Sequence, residues 1–143
     1  PGRTVTIQGI RVRAFDVQHS TRAPAIGYRI TAGRARIFYV PDLVYIRDRA
    51  EALDGVGIYI GDGATVERSM VRKPGEELIG HTPIRTQLTW CAKEGVPRAI
   101  FTHCGSQIFA GDERKVGARI RELAAERGVR AEIAHDGMEL VIR

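Results

Sequence analysis

The stretch Arg98-Ala99-Ile100-Phe101-Thr102-His103-Cys104-Gly105 decides the fold of this chain. Ile100 and Phe101 favour a short buried strand, and Pro97 delays its start. The strand runs straight into a histidine, and Gly105 then lets the backbone turn away. In an α/β domain, ligand sites form beyond the carboxyl ends of the strands, so His103 is placed to act. Two earlier strands end the same way, one at His19 and one at Asp42.

Upstream of this stretch, His81-Thr82-Pro83 opens a helix, with Thr82 as a good N-cap and Pro83 at the first helical position. Ile84, Leu88, Cys91 and Ala92 form one apolar stripe, and Gly95 stops the helix. With Val56 to Ile60 as a preceding strand, this is a βαβ unit. Further back, alternation over 3–17 predicts a hairpin or two edge strands, and Ile26–Thr31 with Ala35–Val40 predicts a second hairpin. Residues 43–53 suggest a short helix or helical turns with Leu43, Ile46 and Leu53 inward. Ala64 to Gly80 is a polar surface loop holding Arg68, Arg72 and Lys73. Downstream, Gly111-Asp112 starts a helix over 113–127, with Val116, Ile120, Leu123 and Ala124 inward and Gly128 as its stop. Val129 to Ala134 is a strand. Asp136-Gly137 predicts a tight hairpin, with a return strand over Met138 to Ile142.

The whole is an α/β domain with a mixed sheet. Its 143 residues fit one domain without an internal linker. No run approaches the ~18 apolar residues of a membrane span, so no membrane partner is expected. Cys91 and Cys104 are the only cysteines and form no CxxC, which points to a reducing compartment, the cytoplasm. Cys91 falls on a helix stripe as core packing, and Cys104 is read as a small buried thiol ahead of a catalytic thiolate. The net charge of +5 fits a solvated Arg-rich surface. A surface for phosphates or nucleic acid is the sharper reading, but the cations are scattered. The 4 Phe, 4 Tyr and 1 Trp form no stacking ladder, so the support for nucleic acid is weak.

His19 and His103 each follow a strand, Asp42 follows another, and His81 precedes a helix. Imidazole and carboxylate groups supplied from separate loops on one rim suit Zn²⁺ or Mn²⁺. A carboxylate can bridge two cations about 3.5–4 Å apart. Plainer readings stand beside this one. A histidine at a strand end is usually a hydrogen-bonded structural residue, Asp42 could cap the next turn, and His81 could only position a helix start. Asp62 between two glycines is most simply a turn residue. His135 before Asp-Gly is an exposed hairpin residue with no assigned role.

The order His19-Ser20…Ala25-Ile26-Gly27-Tyr28-Arg29-Ile30, Ile37-Phe38-Tyr39-Val40-Pro41-Asp42, Gly80-His81-Thr82 and Gly95-Val96…Ala99-Ile100-Phe101-Thr102-His103 resembles the metallo-β-lactamase-fold hydrolases. It is most similar to the branch holding the tRNA 3′-processing endonucleases and the cyclic phosphodiesterases of phosphonate metabolism. The match runs from about residue 12 to 137 and lies in order and spacing more than in any single motif. The resemblance implies a four-layer αββα sandwich, of which this chain would be the C-terminal half, with helices on one face of its sheet. It implies two divalent metal ions, Zn²⁺ ahead of Mn²⁺. His19 would ligate the first ion, Asp42 would bridge, His103 would ligate the second, and His81 would contact the scissile phosphate or protonate the leaving group. The metals would lower the pKa of a shared water and polarise the phosphoryl oxygens of an anionic phosphoester.

The family's His-any-His-any-Asp-His signature is absent, and nothing before His19 can supply it. The ligand set is therefore incomplete, and the start at Pro1 agrees with a second half completed by a missing N-terminal half or a partner chain. The alternative is a non-catalytic binding or assembly module of the same fold. Such a module would expose an apolar sheet face unless it formed a homo-oligomer.

Overall fold

Alternation of apolar and charged residues lays down the first strands. The computed structural model describes residues 2–142. β1 (Thr4–Ile7), β2 (Ile10–Gln18), β3 (Ala25–Ala32) and β4 (Ala35–Tyr39) form an antiparallel meander. The apolar runs that follow add β6 (Ile58–Asp62), β7 (Arg98–Thr102) and β8 (Arg130–Ile133) parallel to β4, once β5 (Tyr45–Ile46) has been placed. The sheet order is β1-β2-β3-β4-β6-β7-β8, with β5 paired to β2. The expected mixed sheet and the βαβ unit are both present.

Register assigns each residue to a face. Phe15, Phe38, Tyr59, Ala99 and Phe101 share one face, and they pack with Leu53, Ile84, Leu88, Cys91, Ile120 and Leu123 from the helices. The helices therefore lie on one side, as expected. The opposite face carries Val5, Ile7, Ile10, Ile26, Tyr28 and Tyr39, all exposed, Ile7 by 62%. Nothing among the described residues covers that patch, and a soluble monomer rarely leaves so continuous an apolar surface bare.

Three local expectations are corrected. Leu43, Ile46 and Leu53 are buried as expected, but only Arg49–Leu53 (α1) is helical. Tyr45 and Ile46 instead form β5 against Val17 and Gln18. β1 covers only residues 10–13 of the nine-residue β2, so the buried end of β2 would otherwise leave its backbone groups unpaired. Thr82 does not cap α2 (Ile84–Lys93), whose N-cap is Pro83. The Thr82 hydroxyl donates to the Val44 carbonyl, and the first helical N–H groups, of Ile84 and Arg85, donate to Thr65 and Val66 at 2.9 and 3.0 Å. The return strand over 138–142 is absent. The Asp136-Gly137 turn closes, with Met138 N–H donating to His135 at 3.0 Å, but residues 139–142 form no ladder on the free edge of β8.

A one-turn helix, α3 (Ser106–Phe109), follows His103, and α4 (Glu113–Ala125) is the helix expected from 113. Asp112 caps α4, accepting N–H groups of Arg114 and Lys115 at 3.0 and 3.4 Å. Asp112→Ala is expected to lower stability by about 1 kcal/mol, a fall in Tm of about 3–5 °C by thermal denaturation. No helix among the described residues is long and apolar enough to cross a membrane.

Candidate metal centre

β2, β4, β6 and β7 all run in one direction, so the residues after them meet on one rim. His19 follows β2, Asp42 lies three residues past the end of β4, Asp62 ends β6 and His103 follows β7. His81 arrives from the loop before α2. That loop is tied to the rim by the Thr82 N–H donating to Leu43 at 2.9 Å and the Gly80 N–H donating to His19 at 3.0 Å.

The turn after β7 is made differently from the expectation. His103 itself takes the left-handed conformation, at φ 52°, an uncommon state for a non-glycine residue. Gly105 does not supply the turn. It is required by close approach, because a Cβ there would lie 2.1 Å from the Ala64 carbonyl oxygen. The Gly105 N–H donates to Gly63 at 3.2 Å, and Gly63 N–H donates to Thr102 at 2.6 Å, which joins the loops after β6 and β7. The strained histidine is thus held from both sides, as strained residues at functional sites generally are.

All four residues singled out in the sequence lie together. Asp42 Oδ1 is 3.2 Å from His103 Nδ1, 3.7 Å from His81 Nδ1 and 3.8 Å from His19 Nε2. Ligands about 2.0–2.1 Å from a tetrahedral Zn²⁺ stand roughly 3.3 Å from one another, a spacing that Asp42 and His103 meet, while His19 lies outside the group of Asp42, Asp62, His81 and His103 that could hold one ion. The His19 Nδ1–H donates to the Gly80 carbonyl at 3.0 Å, which leaves Nε2 with its lone pair towards Asp42. This is the usual outer-sphere support of a ligating imidazole.

The residue the sequence reading missed is Asp62. It is fully buried, not a plain turn residue, and ligand atoms of Asp42, Asp62, His81 and His103 all lie within 4.8 Å of one another. Its Oδ1 accepts the Ala64 N–H at 2.8 Å, and its Oδ2 accepts Leu43 N–H at 3.1 Å and His81 Nδ1–H at 2.7 Å. A carboxylate so engaged orients its histidine more readily than it binds a cation. His81 Nε2 has no hydrogen-bond partner among the described residues, so this imidazole can offer a proton or an acceptor into the site. The signal for Asp62 was the one used for His19, Asp42 and His103: a ligand-type side chain at the end of an inner strand.

Behind Asp62, Gln87 is fully buried and makes four hydrogen bonds. Its Oε1 accepts from Tyr59 Oη–H at 2.9 Å and Asp62 N–H at 3.1 Å, and its Nε2 donates to the carbonyls of Asp62 and Thr82, both at 2.8 Å. Burial above all, with Asp62 nearby, raises the Cys104 thiol above its ordinary pKa, so it stays protonated and a thiolate nucleophile gains no support. Burial pushes the Cys91 thiol up to about 12, as expected for core packing. His135 is exposed and bonds only its neighbour's carbonyl, at 3.1 Å.

Comparison with known proteins bears on the fold. No curated protein matches the chain in sequence. Among solved structures it is similar to the metallo-beta-lactamase fold protein YhfI from Bacillus subtilis, with TM-score 0.74 and 14% identity, covering 96% of this chain and 52% of that one. It is also similar to the isothiocyanate hydrolase from Delia radicum gut bacteria, with TM-score 0.66 and 16% identity, covering 96% of this chain and 57% of that one. A third structure, from Parabacteroides distasonis, aligns with TM-score 0.62 and 14% identity over 92% of this chain and 54% of its own. The chain therefore spans a little over half the length of the structures it matches. The model of the beta-lactamase superfamily domain matches residues 1–104, most of the chain, and this chain belongs to that family.

Proposed function

We propose that this chain carries the C-terminal half of a metal-dependent phosphodiester hydrolase, in the branch of the tRNA 3′-processing and cyclic phosphodiesterases. The observation that supports it most is the hydrogen bond between His81 and the buried Asp62, set 3.7 Å from the Asp42 carboxylate. His19, Asp42 and His103 would hold the metal, Zn²⁺ or Mn²⁺, with Asp42 shared between two ions. A cation bound there supplies Lewis-acid polarisation of a phosphoryl oxygen and acidifies water. His81, its Nδ1–H fixed by Asp62, gives or takes the proton of the leaving oxygen at Nε2, a role that general acids and bases fill with a 10²–10⁴-fold effect. The remaining ligands would come from a covering layer over the apolar face that carries Ile7 and Tyr28. That same exposed face favours a second reading, an assembly module whose partner is another chain.

In the assembled protein, bis(p-nitrophenyl) phosphate is expected to be hydrolysed, to be spared after chelation, and to be hydrolysed again on adding Zn²⁺ or Mn²⁺. Full metal occupancy with hydrolysis of a lactam or thioester but not of the phosphodiester would overturn the substrate class. Assembled protein that takes up no metal would leave the module reading.

A further inference from the structure

A cavity of about 200 Å³ is lined by Thr4, Arg11, Arg13, Arg29, Thr31 and Arg36. It opens on the helix-side face at the far end of the sheet from the metal centre. Arg13 precedes His19 by six residues of extended chain, roughly 20 Å. The arginines are neighbours by register: Arg13 lies opposite Arg29, and Arg11 and Arg36 both lie opposite Thr31. Like charges directly opposite one another destabilise a sheet, so a cluster of this kind needs compensation.

The protein supplies only part of it. Glu51 pairs with Arg13 at 2.6 Å, and Asp54 reaches Arg36 at 3.5 Å. Arg29 reaches only the backbone carbonyl of Glu51, at 2.5 Å, and Arg11 has no hydrogen bond or ion pair among the described residues. Two carboxylates thus face four guanidinium groups. The Nε of Arg13, a residue of the cavity lining, is buried with no partner, an orphaned donor. Burial first, then the charges of Arg13 and Arg36, hold the Arg29 pKa below its usual value. The guanidinium carbons of Arg13 and Arg29 lie 4.9 and 5.1 Å from the Phe15 ring centroid, so these two groups are already held in place.

We propose that this cavity is an anion site for the phosphoryl or pyrophosphoryl group of a small molecule, separate from the metal centre. Arginine forks match phosphate oxygens two at a time, which suits four guanidinium groups better than it suits a monovalent ion. Thr4 and the buried Thr31 add hydroxyl groups to the lining. The volume falls below the ~300–1,000 Å³ of pockets that enclose drug-sized ligands, so it fits the anionic group rather than a whole large molecule.

The test titrates inorganic pyrophosphate into the assembled, Zn²⁺-loaded protein while following arginine Nε–H resonances by NMR, which separates this cavity from binding at the metal. Saturable shifts of Arg13 and Arg29, weakened about tenfold or more in R11Q at unchanged metal content and Tm, are expected. A nucleoside diphosphate binding as pyrophosphate does would show that the phosphates alone are read, and tighter binding would show that the site extends to the nucleoside. No shift up to about 10 mM, an equal shift from sodium chloride at the same ionic strength, or an unchanged affinity in R11Q would overturn the proposal.

Discussion

Asp42→Ala is expected to lower metal affinity by more than about 100-fold and to abolish metal-dependent hydrolysis, with the fold retained. The reason is position. Asp42 Oδ1 lies within 3.2–3.8 Å of three imidazoles, more than any other carboxylate among the described residues. Loss of a partner one step removed from a metal costs about 10–100-fold in affinity, and a shared ligand should exceed that. The carboxylate is partly exposed, and no hydrogen bond that organises the backbone depends on it. The contrast is Asp62→Ala, which removes three hydrogen bonds from a buried position and should show first as lost stability. Metal content by atomic emission, with a denaturation curve for each variant, separates the two. A D42A protein with its metal intact would remove Asp42 from the centre.

Asp42 and Asp62 also show what the sequence makes legible. Strand-end position brings His19, Asp42 and His103 together, because topology delivers the ends of same-direction strands to one rim whatever the loops do. The fold class followed from the same periodicities. Asp62 carried the same signal, but Gly61 and Gly63 around it are also what a surface turn looks like. What makes it a buried carboxylate is the arrival of the Leu43 N–H and His81, both 19 residues away, and no local window contains them. Thr82 was misjudged for a related reason. Its spacing from the helix is right for a cap, yet the segment around Val44 offers its hydroxyl an acceptor in the core. The absent return strand is the opposite case: Asp136-Gly137 forms its turn, but residues 139–142 leave the free edge of β8 unpaired, so a local turn signal alone does not specify a hairpin.

Gln87→Leu should have the largest effect on folding of any single change at the site. Glutamine has two acceptor positions and two donor hydrogens, and all four are used in full burial. Leucine fills much the same volume but leaves the Tyr59 hydroxyl, the Asp62 N–H and the carbonyls of Asp62 and Thr82 without partners. An unsatisfied buried group costs about 1–3 kcal/mol, and partial relaxation keeps the sum near 4 kcal/mol. That is a large share of the ~5–15 kcal/mol that holds a domain together. Tyr59 provides the control. Its pKa is raised, first by burial, so the hydroxyl stays a donor throughout the neutral range. Tyr59→Phe alone should cost about 1 kcal/mol, because it removes one hydrogen bond and still leaves Gln87 Oε1 bonded to Asp62 N–H. In the Gln87→Leu background the same change should cost nothing or stabilise, because it deletes an orphaned hydroxyl. Urea denaturation of the four proteins gives the coupling. Additive single effects would mean that the side chain only fills space. A coupling of about 1 kcal/mol or more would show that one amide ties the end of β6 to the start of α2, and so sets where Asp62 holds His81.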